Sequence, residues 1–209
     1  MIYLKGTKTK LSAIVFDLGN VLLDYDPARF MFELGIEPEK ISRLVKVING
    51  REEWNEYDRG VLTADDIAAL AVRDEPFLRK EITHYLKHYP ECFSALTWNV
   101  SLLYRAKEAG LKVYVLSNCP EDVFEFFKTR FIFLQDLDGA VISGACKINK
   151  PSPEIFKLLM ETYPEIDPKH TLFVDDRQVN AEAAEKAGLL GLALPANGVI
   201  EEYLDICED

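Results

Sequence analysis

Ile14, Val15 and Phe16 form an uninterrupted apolar run that ends on a single carboxylate, Asp17, and Leu18-Gly19-Asn20 then reads as a turn. A short apolar run bounded by turn residues is a strand, and an aspartate at its end is aimed out of the edge of a sheet. Burying a lone carboxylate there is costly unless a cation or hydrogen-bond donors meet it. Asp17 is therefore a candidate for chemistry as well as for a turn.

Two textures follow along the 209 residues. Residues 14–23 and 100–200 alternate short apolar runs with amphipathic stretches, which predicts an α/β fold with a doubly wound parallel sheet in three layers. Residues 24–98 carry helix signals instead. Ile41, Leu44, Val45 and Ile48 make an apolar stripe that stops at Gly50. Thr63 and Asp66 form a capping-box pattern ahead of Ile67, Leu70 and Ala71. A third stripe, Ile82, Tyr85 and Leu86, ends before Pro90. The expected organisation is an α/β core of residues 1–23 and 99–209, with a small helical cap, residues 24–98, inserted after the first strand. In the second half Lys112 to Leu116, Thr171 to Val174 and Leu190 to Leu194 read as strands. Helix faces are expected at Leu102, Leu103 and Ala106, at Ile155, Phe156, Leu158 and Leu159 behind Ser152-Pro153, and at Val179, Ala183, Ala184 and Ala187. The tail from Val199 to Ile206 reads as a short helix.

Three strand ends thus carry polar groups: Asp17, Ser117-Asn118 and Asp175-Asp176. The carboxyl ends of the strands in an open parallel sheet line one crevice, so these groups can meet although they are far apart in sequence. Lys150, ahead of Pro151 and a helix, is a fourth piece. Two adjacent carboxylates at the end of a buried strand repel each other unless a cation is near.

In their order and spacing, Phe16-Asp17-Leu18-Gly19-Asn20-Val21, Val115-Leu116-Ser117-Asn118, Lys150-Pro151 and Phe173-Val174-Asp175-Asp176 with Asn180 resemble the four motifs of the haloacid dehalogenase superfamily. Residues 24–98 resemble its helical cap. The resemblance implies a phosphatase in which Asp17 attacks phosphorus and forms an aspartyl-phosphate. It further implies that Ser117 and the Asn118 amide hold phosphate oxygens and that Lys150 bridges nucleophile and phosphate. Magnesium would be bound by Asp17, the Gly19 carbonyl and Asp176, with Asp175 acting mainly through a water and Asn180 behind it. A cation there also makes physical sense, because a carboxylate cannot readily approach a doubly charged phosphoryl group unaided. Arg59, in the cap loop that overhangs such sites, is a candidate substrate-binding residue. Trp54 and Tyr57, three apart, read more readily as helix packing.

One position departs from the pattern. Most phosphatases of this superfamily carry a second aspartate two residues after the nucleophile, as a proton donor to the leaving oxygen, and here that residue is Gly19. Three readings stay open. The enzyme acts on a small phosphorylated metabolite whose leaving group needs little help, such as a sugar 1-phosphate, or draws on another acid such as Asp24. Phe-Asp-Leu-Gly-Asn-Val is also similar to the motif of glucose-1-phosphate phosphatases in the superfamily. Alternatively the chain is a catalytically weak or inactive ligand- or protein-binding relative. The third reading is a 2-haloacid dehalogenase, which needs neither the acid nor magnesium but would find Asp175-Asp176 a liability.

A formal net charge of −11 argues against nucleic acid as the main partner. No apolar run is long enough for a membrane span, and Leu11 to Phe16 is too short for a signal peptide, so a cytoplasmic, soluble protein with no membrane partner is expected. Cys92, Cys119, Cys146 and Cys207 show no metal-ligand spacing and are expected to be reduced thiols. His84, His88 and His170 are expected at the surface. Nothing in the sequence fixes the oligomeric state.

Overall fold

The computed structural model describes residues 1–207. The chain opens with strands β1 (Ile2–Leu4), β2 (Ala13–Phe16) and β3 (Leu23–Tyr25). Five helices follow, α1 (Pro27–Glu33), α2 (Pro38–Ile48), α3 (Trp54–Asp58), α4 (Ala64–Asp74) and α5 (Arg79–His88), and then β4 (Phe93–Ala95). From there helices and strands alternate through α6 (Thr97–Glu108), β5 (Lys112–Ser117), α7 (Glu121–Arg130), β6 (Gly139–Ile142), α8 (Ser143–Cys146), α9 (Pro153–Thr162) and β7 (Thr171–Asp175). The described chain finishes with α10 (Gln178–Lys186), β8 (Leu190–Ala193) and β9 (Leu204–Ile206). No helix among the described residues is long and apolar enough to cross a membrane.

Local chemistry sets several of these boundaries. Asp26 caps α1 by accepting from the Arg29 amide, with Pro27 in the first turn. Thr63 and Asp66 close the capping box that opens α4, with both reciprocal bonds formed. Ser152 differs from expectation: its hydroxyl bonds Glu154 and makes no cap to α9, which Pro153 starts alone.

The central sheet is five-stranded and parallel, in the order β6-β5-β2-β7-β8. Each strand sends alternate side chains to opposite faces. Ile14, Phe16, Val113, Val115, Leu172 and Val174 join one apolar cluster with α6 and α7, while Ala13, Val15, Tyr114, Leu116 and Phe173 join another with α9 and α10. Three layers result, as expected for a sheet covered on both faces. The chain runs outward from β2 through β5 to β6 and then returns to β7 on the other side. The reversal falls at β2, where open α/β sheets form their ligand crevice.

Register then places the polar residues. Phe16 pairs with Val115 on one side and Val174 on the other, so Asp17 lies level with Leu116 and Asp175. The Asp17 amide donates to the Val174 carbonyl at 2.9 Å, holding it in that position.

Five short strands lie outside the sequence expectation. β3 and β4 pair antiparallel where the helical segment leaves and rejoins the sheet, at three residues each too short to show alternation. β1 and β9 pair antiparallel, so the tail expected to be helical is a single 3-10 turn, Ile200–Tyr203, followed by a strand. β6 hides behind Gly139, where a Cβ would come within 2.2–2.5 Å of the Tyr163 ring and hydroxyl. A further difference concerns α10, whose buried face is Asn180, Ala181 and Ala184 while Val179 is exposed. The helix is rotated because Asn180 turns inward to a carboxylate, as described below.

Buried Asn99 on α6 ties three distant segments together. Its amide donates to the carbonyls of Val21 (2.7 Å) and Gly198 (2.9 Å), and its oxygen accepts from the Ile200 amide (3.1 Å). Asn99→Leu strands these backbone groups, and a loss of about 1–3 kcal/mol in urea unfolding is expected. An unchanged midpoint would show that the loops re-pair without it.

Candidate active site

Lys150 is 3% exposed, and its ammonium makes three short contacts: Asp17 Oδ1 at 2.8 Å, Asp175 Oδ2 at 2.6 Å and the Leu116 carbonyl at 2.7 Å. The loop that delivers it is fixed by Asn118, whose amide donates to the Lys150 carbonyl (3.0 Å) and whose oxygen accepts from the Lys150 amide (2.8 Å). The Asn118 side chain therefore positions Lys150, while Asn118 as a residue lines the cavity as expected.

The other oxygen of Asp175 accepts from the Arg177 amide and from Asn180 Nδ2, both at 2.9 Å, so its carboxylate is fully engaged. Asp176 accepts from Asn20 Nδ2 through Oδ2 at 2.9 Å. Asp17, Asp175 and Asp176 offer oxygens within 4.8 Å of one another. Two carboxylates thus bond one buried ammonium and a third lies beside them, an imbalance a divalent cation would relieve. The donor set fits a hard cation with oxygen ligands: the bonds from Lys150 and Asn20 each fall on one oxygen of Asp17 and Asp176, and Asn180 Oδ1 is buried without a partner among the described residues.

Electrostatics follow from this packing. Burial pushes the Asp17 carboxyl up to about 6, with Lys150 opposing and Asp175 adding to the rise. Burial works against the Lys150 charge too, but Asp17 and Asp175 outweigh it, and the ammonium is held above its usual value. Asp176 is raised, first by burial.

Asp17, Leu18, Gly19, Asn20, Ser117, Asn118, Lys150, Asp176, Arg177 and Asn180 line a cavity of about 260 Å³. The rest of its wall is Tyr25, Trp54, Asp58, Tyr89, Phe93, Cys119 and Phe127. Tyr25 stacks on Phe93 (4.8 Å between ring centres), Phe93 packs edge-on to Phe127 and Tyr89, and Trp54 meets Tyr89 at 5.1 Å, giving a continuous aromatic side. Tyr57 is buried as packing, as its spacing suggested.

Two expected residues stand elsewhere. Arg59 pairs with Glu56 and faces an adjoining groove with Lys147 and Asn149, so Arg177 is the arginine of the cavity. Asp24 has both oxygens taken, by Arg29 at 2.6 Å and Asn197 at 2.9 Å, and does not line the cavity. His88 and His170 pair locally with Glu91 and Asp167. Asp58 was not singled out by the sequence; the one available signal was its place beside Arg59-Gly60. Burial, then the nearby Asp17, push its carboxyl up to about 8, against weaker pulls from Arg177 and Lys150.

A family model described as haloacid dehalogenase-like hydrolase matches residues 11–188. The chain is 25% identical over 186 residues to a protein named sesquiterpene phosphatase astK from Aspergillus oryzae, covering 89% of this chain and 91% of that one. It is also 25% identical to drimenol cyclase drtB from Aspergillus calidoustus, of whose length it spans only 35%, with 92% of this chain covered. Among solved structures, the HAD family enzyme bt-2542 of Bacteroides thetaiotaomicron, in complex with magnesium and inorganic phosphate, superposes with a TM-score of 0.68 at 23% identity over 89% of this chain and 95% of that one. L-2-haloacid dehalogenase of Xanthobacter autotrophicus, with chloropropionic acid covalently bound, gives 0.62 at 17% identity over 86% and 75%. These two likenesses show the fold.

A carboxyl whose pKa is higher folded than unfolded keeps a proton that the unfolded chain gives up. Through Asp58, the metal-free protein should therefore lose stability as pH rises from its ordinary value of 3.8 to about 8. In Asp58→Asn, denaturant midpoints should vary less over that window. Parallel wild-type and variant profiles would contradict the burial of this carboxyl.

Proposed function

Because the chain belongs to the haloacid dehalogenase-like hydrolases, we propose that it hydrolyses a phosphate monoester through an aspartyl-phosphate on Asp17. Residues 24–98 act as a helical cap over a core of residues 1–23 and 99–209. The observation that carries this reading is the Lys150 ammonium set between Asp17 and Asp175. An anionic nucleophile approaches an anionic phosphoryl group only where fixed positive charge offsets the repulsion, and Lys150 is a compact point charge suited to that task.

In the first step an Asp17 oxygen attacks phosphorus, and the bond from phosphorus to the ester oxygen breaks. Water then attacks phosphorus, restores the Asp17 carboxylate and frees inorganic phosphate. Lys150 orients Asp17 by its bond to Oδ1. Ser117, 3% exposed at the end of β5, and the Asn118 amide hold phosphate oxygens. Asp17, the Gly19 carbonyl and Asp176 are the proposed ligands of magnesium, which when bound offsets negative charge on the phosphoryl oxygens. Asp175, with both oxygens already engaged, supports the site from behind.

The aromatic side of the cavity supports a leaving group with an apolar body, and astK carries the name of a sesquiterpene phosphatase. An isoprenyl monophosphate is accordingly the preferred substrate class. The second reading, a sugar 1-phosphate, is favoured by Gly19, since its anomeric oxygen leaves with less help.

Magnesium-dependent phosphate release from isoprenyl monophosphates, sugar 1-phosphates and sugar 6-phosphates tests both levels. Isoprenyl esters are expected to give the highest kcat/KM, a chelator to stop release, and Asp17→Asn to lose on the order of 10³ or more. Equal release by wild type and Asp17→Asn would refute the phosphatase. A sugar 1-phosphate ahead of every isoprenyl ester would refute the substrate class alone.

A further inference from the structure

Gly19 leaves the nucleophile's own loop without a proton donor, yet an alkoxide leaves poorly without one. The cavity itself contains three carboxyl groups among the described residues: Asp17, Asp176 and Asp58. Asp17 is the proposed nucleophile, and Asp176 bonds Asn20 within the carboxylate trio. Asp24 is spent on Arg29 and Asn197. Asp58 remains. We propose that Asp58, reaching the cavity from the end of α3, is the acid that protonates the leaving oxygen in place of the side chain missing at Gly19. This rests on the phosphatase reading.

The backbone around Asp58 is built to hold it there. Its carbonyl accepts from the buried Ser143 hydroxyl at 2.6 Å, and that hydroxyl also accepts from the Cys119 amide at 2.9 Å. The Asn55 carbonyl, one turn earlier, accepts from Asn149 at 2.8 Å, and Lys147 donates to the Gly60 carbonyl at 3.1 Å. Gly60 has a φ of +63°, and a Cβ there would meet Lys147 Nζ at 2.6 Å and the Gly144 carbonyl at 3.0 Å, so the turn needs glycine to sit this close. α3 is thereby pinned to the β6–α8 corner and to the loop that carries Lys150.

The charged groups facing the Asp58 carboxyl are Asp17 at the end of β2, Arg177 before α10 and Lys150 before α9. No hydrogen bond from a described residue contributes to holding it ionised, and burial outweighs the two cations, so it carries its proton at neutral pH. In the first step that proton passes to the ester oxygen as its bond to phosphorus breaks, giving an alcohol and an Asp58 carboxylate. In the second, the carboxylate takes a proton from the attacking water as the bond from phosphorus to Asp17 breaks, and both groups return to their starting states.

The test is the dependence of kcat/KM on the leaving group, which reports the transfer to Asp17 whatever limits later steps. Wild type, Asp58→Asn and the double variant Gly19→Asp/Asp58→Asn are compared on p-nitrophenyl phosphate, phenyl phosphate and an isoprenyl monophosphate. A Cβ at position 19 meets nothing within 4 Å, so an acid can be added there. Asp58→Asn is expected to lose about 10²–10⁴ on the isoprenyl ester and at least tenfold less on the nitrophenyl ester, whose anion leaves without a proton. The double variant should recover part of the difference. An equal loss on all three esters would overturn the acid role, as would no loss. A wild type inert on all three would take down the phosphatase reading and this inference with it.

Discussion

A buried ammonium is expensive to place, and in this chain Lys150 is stable only because Asp17, Asp175 and the Leu116 carbonyl surround it. The dependence runs the other way as well. Asp17 and Asp175 lie level in neighbouring parallel strands, and without the lysine two carboxylates would face each other in an apolar interior. One cation therefore holds together the ends of β2, β5 and β7 and gives the site its geometry. Asn118 completes the arrangement by clasping the Lys150 backbone in both directions.

The helical segment contributes in two ways. It lays an aromatic wall over the polar floor, and through α3 it brings in Asp58, among the described residues the one carboxyl of the cavity outside the trio of Asp17, Asp175 and Asp176. A glycine two residues after the proposed nucleophile then need not mean a weak enzyme. In the proposed mechanism the acid comes from the end of α3, which makes proton transfer depend on how the helices sit over the sheet.

Much of the fold was legible because its signals are local. The helix stripes of α2, α4 and α5, the capping box at Thr63 and the apolar runs of the sheet core all stand where the sequence puts them. The strands that were not legible are three or four residues long and rest on pairing with distant partners, as β1 does with β9. The same distinction divides the site. Asp17, Ser117, Asp175 and Asp176 end strands or follow them, so topology alone gathers them at one edge, whereas Lys150 is delivered by the loop between α8 and α9. Asp58 and Arg59 close the short helix α3 and Asp24 lies on the short strand β3, elements whose docking is written in contacts such as Ser143 to Asp58, and spacing carries no trace of which residue turns inward. Val179 and Asn180 make the same point in miniature: an apolar residue faces out because its polar neighbour has a carboxylate to bind.

The most direct test of the account is to catch the phosphoryl group on the enzyme. Acid quenching during turnover of a phosphate monoester with magnesium, followed by peptide mass spectrometry, should find an acyl phosphate on Asp17 in wild type and none in Asp17→Asn. Phosphate release at full rate with no phosphorylated Asp17 peptide would contradict it.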